Sequence, residues 1–369
     1  MFQPDVRQII ILGIRGVPAA HGGFETFAER LALYLRSHGW AVTVYCQGSA
    51  SGVRETDDWN GVRRIHIPVS RDGALGTIEF DAKCVADVGP IPGTILTLGY
   101  NTGFLCAWLR LRGRRNLINM DGLEWRRAKY NLAAKAYLWL NERIACWSGN
   151  RLIADHPVIA DHLATRASRH KILTIPYGGE NVLDANVDLL QRFGVSAGNF
   201  FTVIARPEPE NSVLEIVEAF SSKARGAKLL VLGRYDSNNA FQDSVLRAAS
   251  AEVLFPGPVY DKDALAALRL YSIAYLHGHK VGGTNPSLVE ALGAGNPVIA
   301  HDNPFNRWVA GDGGIFFNNA EECSAAIDRL LLEPSTRLKM SAASRRQWAE
   351  NFTWEAVLSR YERALLGGQ

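Results

Sequence analysis

Short apolar runs recur along this chain, separated by stretches whose apolar residues return every third or fourth position. The runs lie near Ile9 to Gly13, Ala41 to Cys46, Val62 to Ile67, Thr94 to Leu98, Leu117 to Met120, Leu152 to Ala154 and Ile172 to Ile175. Their length and β-branched content predict buried strands, and the intervening periodicity predicts helices. The clearest helix is Phe24 to His38, where Phe24, Phe27, Leu31 and Leu35 share a face and Gly39 supplies a stop. A turn-rich cluster, Pro176-Tyr177-Gly178-Gly179-Glu180-Asn181, then reads as a linker. Beyond it the alternation resumes, with strands near Phe200 to Ile204, Lys228 to Leu232, Val253 to Phe255, Ile273 to Leu276, Pro297 to Ala300 and Gly314 to Phe317. Helical segments close the chain at Ala320 to Leu332, Ser335 to Glu350 and Trp354 to Leu366. Strands alternating with helices make parallel sheets covered on both faces, so the fold class is α/β, two doubly wound halves with a cleft between them.

The length of 369 residues fits two domains, and a composition 47% hydrophobic and 21% charged is that of a folded globular enzyme. Five scattered cysteines, Cys46, Cys84, Cys106, Cys146 and Cys323, have neither disulfide-framework nor Cys-x-x-Cys spacing and predict a reducing compartment, the cytoplasm. Ile9-Ile10-Ile11-Leu12 is too brief for the core of a signal peptide, and the richest apolar segment, Ile95 to Leu111, is broken by Asn101 and Arg110, so neither export nor a membrane span is expected. The net charge of +3 gives no reason to expect a nucleic-acid partner.

Charge is nevertheless uneven. From Trp108 to Trp147, nine basic residues stand against Asp121, Glu124 and Glu142, interleaved with Trp108, Trp125, Tyr130, Tyr137, Trp139 and Trp147. Two readings stand open. One is peripheral contact with an anionic membrane surface, through residues such as Arg112, Arg114, Arg115 and Lys129; the other is a solvated basic face with the aromatic rings turned inward.

Three segments carry chemistry. The first strand ends in Gly13-Ile14-Arg15-Gly16-Val17-Pro18, with Gly22-Gly23-Phe24-Glu25 opening the helix. Such a turn at a helix start is either a plain tight turn or a phosphate cradle of free N–H groups. It lacks the Gly-x-Gly-x-x-Gly fingerprint, and the second strand ends in Cys46-Gln47 without an acid for a ribose, which argues against hydride transfer. After the first strand of the second half, Ala205-Arg206-Pro207-Glu208 puts a guanidinium at a strand's carboxyl end, where it can either fork onto a diphosphate or pair with Glu208 or Glu210. The third segment, His277-Gly278-His279-Lys280-Val281-Gly282-Gly283-Thr284-Asn285-Pro286-Ser287-Leu288-Val289-Glu290, reads as strand, glycine-rich loop and helix. Free N–H groups at Ser287 and Leu288 would form a second cradle, and Glu290 would accept hydrogen bonds from sugar hydroxyls. His277 and His279 lack a third ligand at a recognisable spacing, so no metal site is expected.

The spacing of Gly22-Gly23-x-Glu25, Ile175-Pro176-Tyr177-Gly178-Gly179, Ala205-Arg206 and Ser287-x-x-Glu290-Ala291 resembles the retaining, GT-B-fold glycosyltransferases of family 4 over essentially the whole chain. Gly13-x-Arg15-Gly16-x-Pro18 with Gly283-Thr284-Asn285-Pro286-Ser287-Leu288 resembles, within that family, the bacterial rhamnosyltransferases of capsule and O-antigen assembly. The resemblance implies an acceptor-side domain, 1–177, to which a C-terminal helix at 352–366 returns, and a nucleotide-sugar domain, 178–351. It implies that Gly22, Gly23, Arg206, Asn285, Ser287 and Leu288 surround the donor diphosphate and that Glu290 binds the ribose. Asp121 stands where many relatives carry a histidine beside the reacting sugar; Arg15, Glu25 and Glu124 lie on the acceptor side, and His279 lies upstream of the cradle. Asp121, Arg206 and His279 form the catalytic set. The implied reaction moves a sugar, with L-rhamnose from dTDP-rhamnose the leading donor, to a lipid-linked or saccharide acceptor with retention, without cofactor or metal. Two positions depart from the pattern: Asn211 replaces a lysine and Gly282 replaces a glutamate, which favours a donor such as a 6-deoxy sugar that lacks the usual hydroxyl pattern. A nucleotide-sugar 2-epimerase-like isomerase and a non-catalytic nucleotide-sugar sensor remain as alternatives.

Overall fold

The computed structural model describes residues 7–20, 22–89, 91–127 and 129–368; the polar lead from Met1 lies outside them. The chain divides into two compact units, one running up to Pro176 and resuming at Glu355, the other spanning Tyr177–Trp354. In the first unit the order is β1 (Gln8–Leu12), α1 (Gly23–Ser37), β2 (Ala41–Gly48), β3 (Glu55–Trp59), β4 (Val62–Pro68), α2 (Gly73–Asp87), β5 (Thr94–Leu98), α3 (Gly103–Leu111), β6 (Asn116–Asn119), α4 (Leu132–Ser148), β7 (Arg151–Ala154), α5 (Pro157–Ala164) and β8 (Ile172–Thr174). In the second it is β9 (Phe200–Ile204), α6 (Val213–Ser221), β10 (Lys228–Leu232), α7 (Ala240–Ala248), β11 (Val253–Gly257), α8 (Lys262–Tyr271), β12 (Tyr275–His277), α9 (Pro286–Gly293), β13 (Val298–His301), α10 (Pro304–Ala310), β14 (Gly314–Phe317), α11 (Ala320–Leu332) and α12 (Pro334–Asn351), followed by α13 (Trp354–Leu366).

The first sheet has the order β3-β4-β2-β1-β5-β6-β7-β8 and the second β11-β10-β9-β12-β13-β14. Every pairing is parallel except β3 on β4. Each sheet is a doubly wound, Rossmann-like layer. The apolar runs are continuous because both faces are buried. On β9, Phe200 joins Leu230, Leu232 and Leu268 on one face, while Phe201 and Val203 join Leu229, Val231 and Phe220 on the other. The antiparallel edge strand β3, Glu-Thr-Asp-Asp-Trp, has no apolar alternation and is exposed, so it left no strand signal; its acids suit an edge that must not pair further.

The strand order reverses between β1 and β5 in the first unit and between β9 and β12 in the second, because chain leaving β1 or β9 first winds one way and later returns to that strand's other side. Loops leaving the carboxyl ends of such a pair splay to opposite faces of the sheet and open a crevice. All the sequence-flagged loops after β1, β9 and β12 sit at these two places.

The cluster from Pro176 is no loose linker. An added Cβ at Gly178 would lie 2.5 Å from the Trp354 ring and one at Gly179 would lie 2.9 Å from Val289. Gly179 donates to the Phe352 carbonyl at 2.8 Å and its own carbonyl accepts from Trp348 Nε1 at 3.0 Å. Only residues without a side chain fit a backbone pinned so closely.

From Glu355 the chain belongs to the first unit. The Tyr361 ring lies 4.5 Å from that of Phe27 on α1, and its hydroxyl accepts from Asn119 Nδ2 at 2.7 Å at the end of β6. Glu362 accepts from Trp40 Nε1 at 2.9 Å and from the Tyr34 hydroxyl at 3.1 Å. Tyr361 and Asn119 are both buried, so removing one partner leaves the other unsatisfied. Tyr361→Phe is therefore expected to destabilise the first unit by about 1–3 kcal/mol. Chemical denaturation followed by tryptophan fluorescence checks this, and an unchanged midpoint would show that the contact carries no stability.

Candidate functional site

In the second unit the loop after β9 runs through Arg206 to a tight turn at Pro209–Asn211, with Ser212 in the left-handed region (φ 47°) before α6. The Arg206 carbonyl accepts from Glu208 N at 2.8 Å and from Asn211 Nδ2 at 2.9 Å. The Arg206 side chain is exposed and, among the described residues, has no ion pair, so the pairing with Glu208 or Glu210 does not form. Asn211 is buried and turned into the loop it braces, which explains what this residue does in place of a cation. The nearest basic residue in the next loop, Lys280, is engaged by Glu215 at 2.8 Å.

The loop after β12 is stitched to this one. Lys280 N donates to the Glu210 carbonyl at 2.9 Å, and a Cβ at Gly278 would lie 2.1 Å from the Asn211 carbonyl oxygen. The Ser287 hydroxyl accepts from Tyr275 at 2.9 Å and lies 3.4 Å from the Ile204 carbonyl, so the start of α9 meets the end of β9 two residues before Arg206. Arg206 therefore follows directly on the point where the end of β9 and the start of α9 meet. The N–H groups expected to be free there are not: Asn285 Oδ1 caps Ser287 N at 3.0 Å, and the Asn285 carbonyl takes the amides of Leu288 and Val289 at 3.1 Å. The helix completes its own cap, as an asparagine at this position does, and an anion would have to displace the Asn285 side chain.

Glu290 is not a solvated acid. Its Oε2 accepts from the guanidinium of Arg269, a residue of α8 that is almost fully buried. Arg269 escaped the sequence reading; an arginine inside the apolar run Ala264-Leu265-Ala266-Ala267-Leu268-Arg269-Leu270 was its only signal. His277 is buried, stacked on His279 with centroids 4.3 Å apart and planes 9° apart. Burial, with the His279 charge beside it, holds its imidazole well below the usual histidine range and therefore neutral. His279 offers its carbonyl to Asn303 and Asn306 Nδ2 at 2.9 Å each. Among the described residues no group of three His, Cys, Asp or Glu is placed to hold a metal ion.

In the first unit Gly13 has φ +87°, and a Cβ there would lie 2.3 Å from the Leu98 carbonyl, so glycine is needed where β1 and β5 part. The following loop walls a cavity of about 380 Å3 with Arg15, Gly16, Val17, Cys46, Gln47 and His66 among its lining. The Arg15 side chain is exposed; His66 Nε2 lies 3.2 Å from Asp57, supplied by the edge strand β3. At the phosphate cradle expected at Gly22 and Gly23 no side chain caps the start of α1. Glu25 in the first turn of α1 folds back so that Oε1 lies 3.5 Å from Arg15 N and Oε2 comes within 3.4 Å of where a Gly22 Cβ would be. An acid in the first turn is favoured by the positive end of the helix and stands beside the expected cradle.

Asp121 follows β6 in the left-handed region (φ 51°), its amide held by Asn119 Oδ1 at 2.9 Å. Buried Tyr100 donates to the Gly122 carbonyl at 3.2 Å and accepts from Glu124 N at 2.9 Å. Asn119 is the residue bonded to Tyr361, so α13 supports this loop from below. Loss of solvent, and then the neighbouring Glu124 charge, push the Asp121 carboxyl up to about 7. Glu124 pairs with Arg127 at 3.2 Å. Arg15, Glu25, Asp121 and Glu124 all lie on the first unit, and Arg206, His279, Asn285, Ser287, Leu288 and Glu290 on the second.

Residues 22–178 match the family described as Glycosyl transferase 4-like domain, and residues 193–347 match Glycosyl transferases group 1. A search of curated proteins finds no match. Solved structures with the same fold include sucrose-phosphate synthase from Thermosynechococcus elongatus, 17% identical over 97% of this chain and 98% of that one, with a TM-score of 0.82. HepE from Anabaena in complex with UDP and glucose is 14% identical over 98% and 100%, at 0.76. An alpha,alpha-trehalose-phosphate synthase from Burkholderia xenovorans in complex with glucose-6-phosphate is 14% identical over 98% and 100%, at 0.72. Two family matches in tandem span most of the sequence, each on its own sheet. The chain is a glycosyltransferase of the GT-B type, a glycosyl transferase 4-like domain followed by a group 1 glycosyl transferase domain.

Proposed function

We propose that this enzyme transfers a hexosyl group, L-rhamnose from dTDP-rhamnose, from a nucleoside diphosphate to a lipid-linked or saccharide acceptor of a bacterial surface polysaccharide, in the cytoplasm and with retention of anomeric configuration. The observation that carries the reading is an exposed, unpaired Arg206 two residues beyond the point where the end of β9 meets the start of α9, the helix that carries the paired Glu290. An unpaired guanidinium, joined by the helix end when an anion displaces the Asn285 side chain, is suited to the negative charge that grows on a departing diphosphate. The second unit then holds the donor, with Glu290 oriented by Arg269 to accept from the ribose. The bond from the sugar's anomeric carbon to the diphosphate breaks and a bond to the acceptor oxygen forms. The acceptor's proton passes to the leaving phosphate. Neither a metal ion nor a protein base is then required, and Asp121 on the first unit orients the acceptor.

The relatives that carry UDP and glucose, or glucose-6-phosphate, are consistent with a nucleotide-sugar donor and a saccharide acceptor. The rhamnosyl assignment rests on the sequence resemblance and on Gly282, where a Cβ would meet nothing within 4 Å and no carboxylate is offered to a donor hydroxyl. A lipid-linked acceptor would be met at an anionic membrane surface.

Turnover of dTDP-rhamnose, UDP-glucose and other nucleotide sugars, with and without acceptor, tests this reading. Release of nucleoside diphosphate that depends on acceptor and is fastest with dTDP-rhamnose is expected; an altered sugar nucleotide formed without acceptor would instead indicate an isomerase. Arg206→Ala should lower transfer by about 10² or more, as removal of one oxyanion donor does, and unchanged turnover would take Arg206 out of the site. The raised Asp121 carboxyl predicts a second outcome. Between its ordinary value and about 7 the folded protein binds more protons than the unfolded chain, so stability falls as pH rises through that window. Asp121→Asn should therefore melt higher than wild type at about pH 8, with the gap closing towards about pH 4. Parallel melting curves would place the carboxyl in an ordinary solvated setting.

A further inference from the structure

The aromatic rings between Trp108 and Trp147 do not turn inward as a group. On α3, Phe104, Trp108 and Leu111 are exposed at spacings of four and three, one stripe of the helix. On α4, Tyr137, Leu140 and Trp147 form a second exposed stripe. The two helices run parallel: Gly103 lies against Asn141 and Ala145, and Arg110 reaches the Ser148 carbonyl at 3.4 Å and the Trp147 ring at 5.2 Å. Their outer stripes therefore lie side by side. Trp125 and Tyr130 are only partly exposed, and the Trp125 indole donates to buried Glu142 at 2.9 Å.

Cations are laid into the same face. The Arg112 guanidinium sits 4.6 Å over the Trp108 ring and Arg143 sits 4.1 Å over Trp139, both exposed. The acids of this segment are withdrawn: Glu142 is buried and held by His162 and Arg166, Glu124 is paired with Arg127, and Asp121 is half-buried. Of the cations expected at such a surface, Arg114 is not available, since its guanidinium binds the Val88, Gly89 and Gly93 carbonyls.

We propose that the joined outer faces of α3 and α4 dock on an anionic lipid bilayer. This deepens the reading of a lipid-linked acceptor and rests on it for its purpose, while the face itself is independent of the sugar transferred. Tryptophan and tyrosine favour the headgroup boundary, where the ring is half apolar and half wet. Arginines stacked on those rings stay at the depth of lipid phosphates, with which they pair bidentately. No helix among the described residues is long and apolar enough to cross a membrane, so the attachment is peripheral. A second copy of the chain fits the face poorly, because a two-fold contact sets the same cations against each other.

Flotation with phosphatidylcholine vesicles, with and without phosphatidylglycerol, tests the proposal. The wild type should float with the anionic vesicles only, and less at high salt. Arg112→Glu with Arg143→Glu changes the face by four charges, and at about fivefold per charge near an anionic leaflet the partition should fall by about 10² or more. Trp108→Ser with Trp147→Ser should weaken the binding that survives salt. Thermal shift by a nucleoside diphosphate, unchanged in all variants, shows that they fold; its absence from the wild type, with vesicle binding intact, would count against the donor site alone. Equal binding to neutral and anionic vesicles, no vesicle binding, unaltered binding by the reversed variant, or a dimer in sedimentation velocity that Trp108→Ser with Trp147→Ser abolishes would each overturn the proposal.

Discussion

Two adjacent parallel strands whose loops must leave in opposite directions are the constraint from which the candidate site follows. At the carboxyl ends of β9 and β12 the backbone cannot close over the gap, yet its polar groups still need partners. The protein meets this by joining the two loops to each other, Lys280 N to the Glu210 carbonyl and glycine at 278 against the Asn211 carbonyl. Asn211, Tyr275 and Ser287 complete the lining with side-chain bonds. Among the described residues the exposed Arg206 guanidinium takes no ion-pair partner. A braced loop that leaves a guanidinium unpaired suits a site that must stabilise growing negative charge, while the α9 amides become available only when the Asn285 side chain gives way.

The first unit solves the same topological problem differently. Gly13 lets the chain pass the Leu98 carbonyl, and the loop then opens into a cavity instead of closing. The Asp121 loop gains its rigidity from Tyr100 and, through Asn119, from Tyr361, a residue some 240 positions later in sequence. A helix outside the sheet's own βα succession thus fixes a loop in the middle of it. That dependence explains why the C-terminal helix carries a buried tyrosine and a doubly bonded Glu362 on its inner face.

Much of the fold was legible in the sequence because parallel strands buried on both faces leave unbroken apolar runs, such as Ile9 to Leu12 and Leu229 to Leu232. β3 was not, since its polar residues carry no period. Arg206 was found by its place after a predicted strand and the Asn285 loop by glycine and proline punctuation, but what their atoms bond to was not. Asn285 satisfies α9 amides, Glu25 reaches back to Arg15 N, and Glu290 is paired with Arg269. The Glu25 and Glu290 contacts join residues whose spacing in sequence follows no motif, whereas the Asn285 cap has the ordinary N-cap spacing ahead of Pro286 and was open to reading. Arg269 and Tyr361 looked like ordinary members of amphipathic helices; only packing separates them from their neighbours.

In the proposed reaction the departing diphosphate is held first by the Arg206 guanidinium. Calorimetric titration of the protein with dTDP in excess EDTA measures that interaction alone, without acceptor or turnover. Binding that persists in EDTA and weakens by about tenfold or more in Arg206→Ala is the predicted result, the loss expected of one charge-assisted contact. Binding that appears only when magnesium or manganese is restored, or that is indifferent to Arg206, would contradict it.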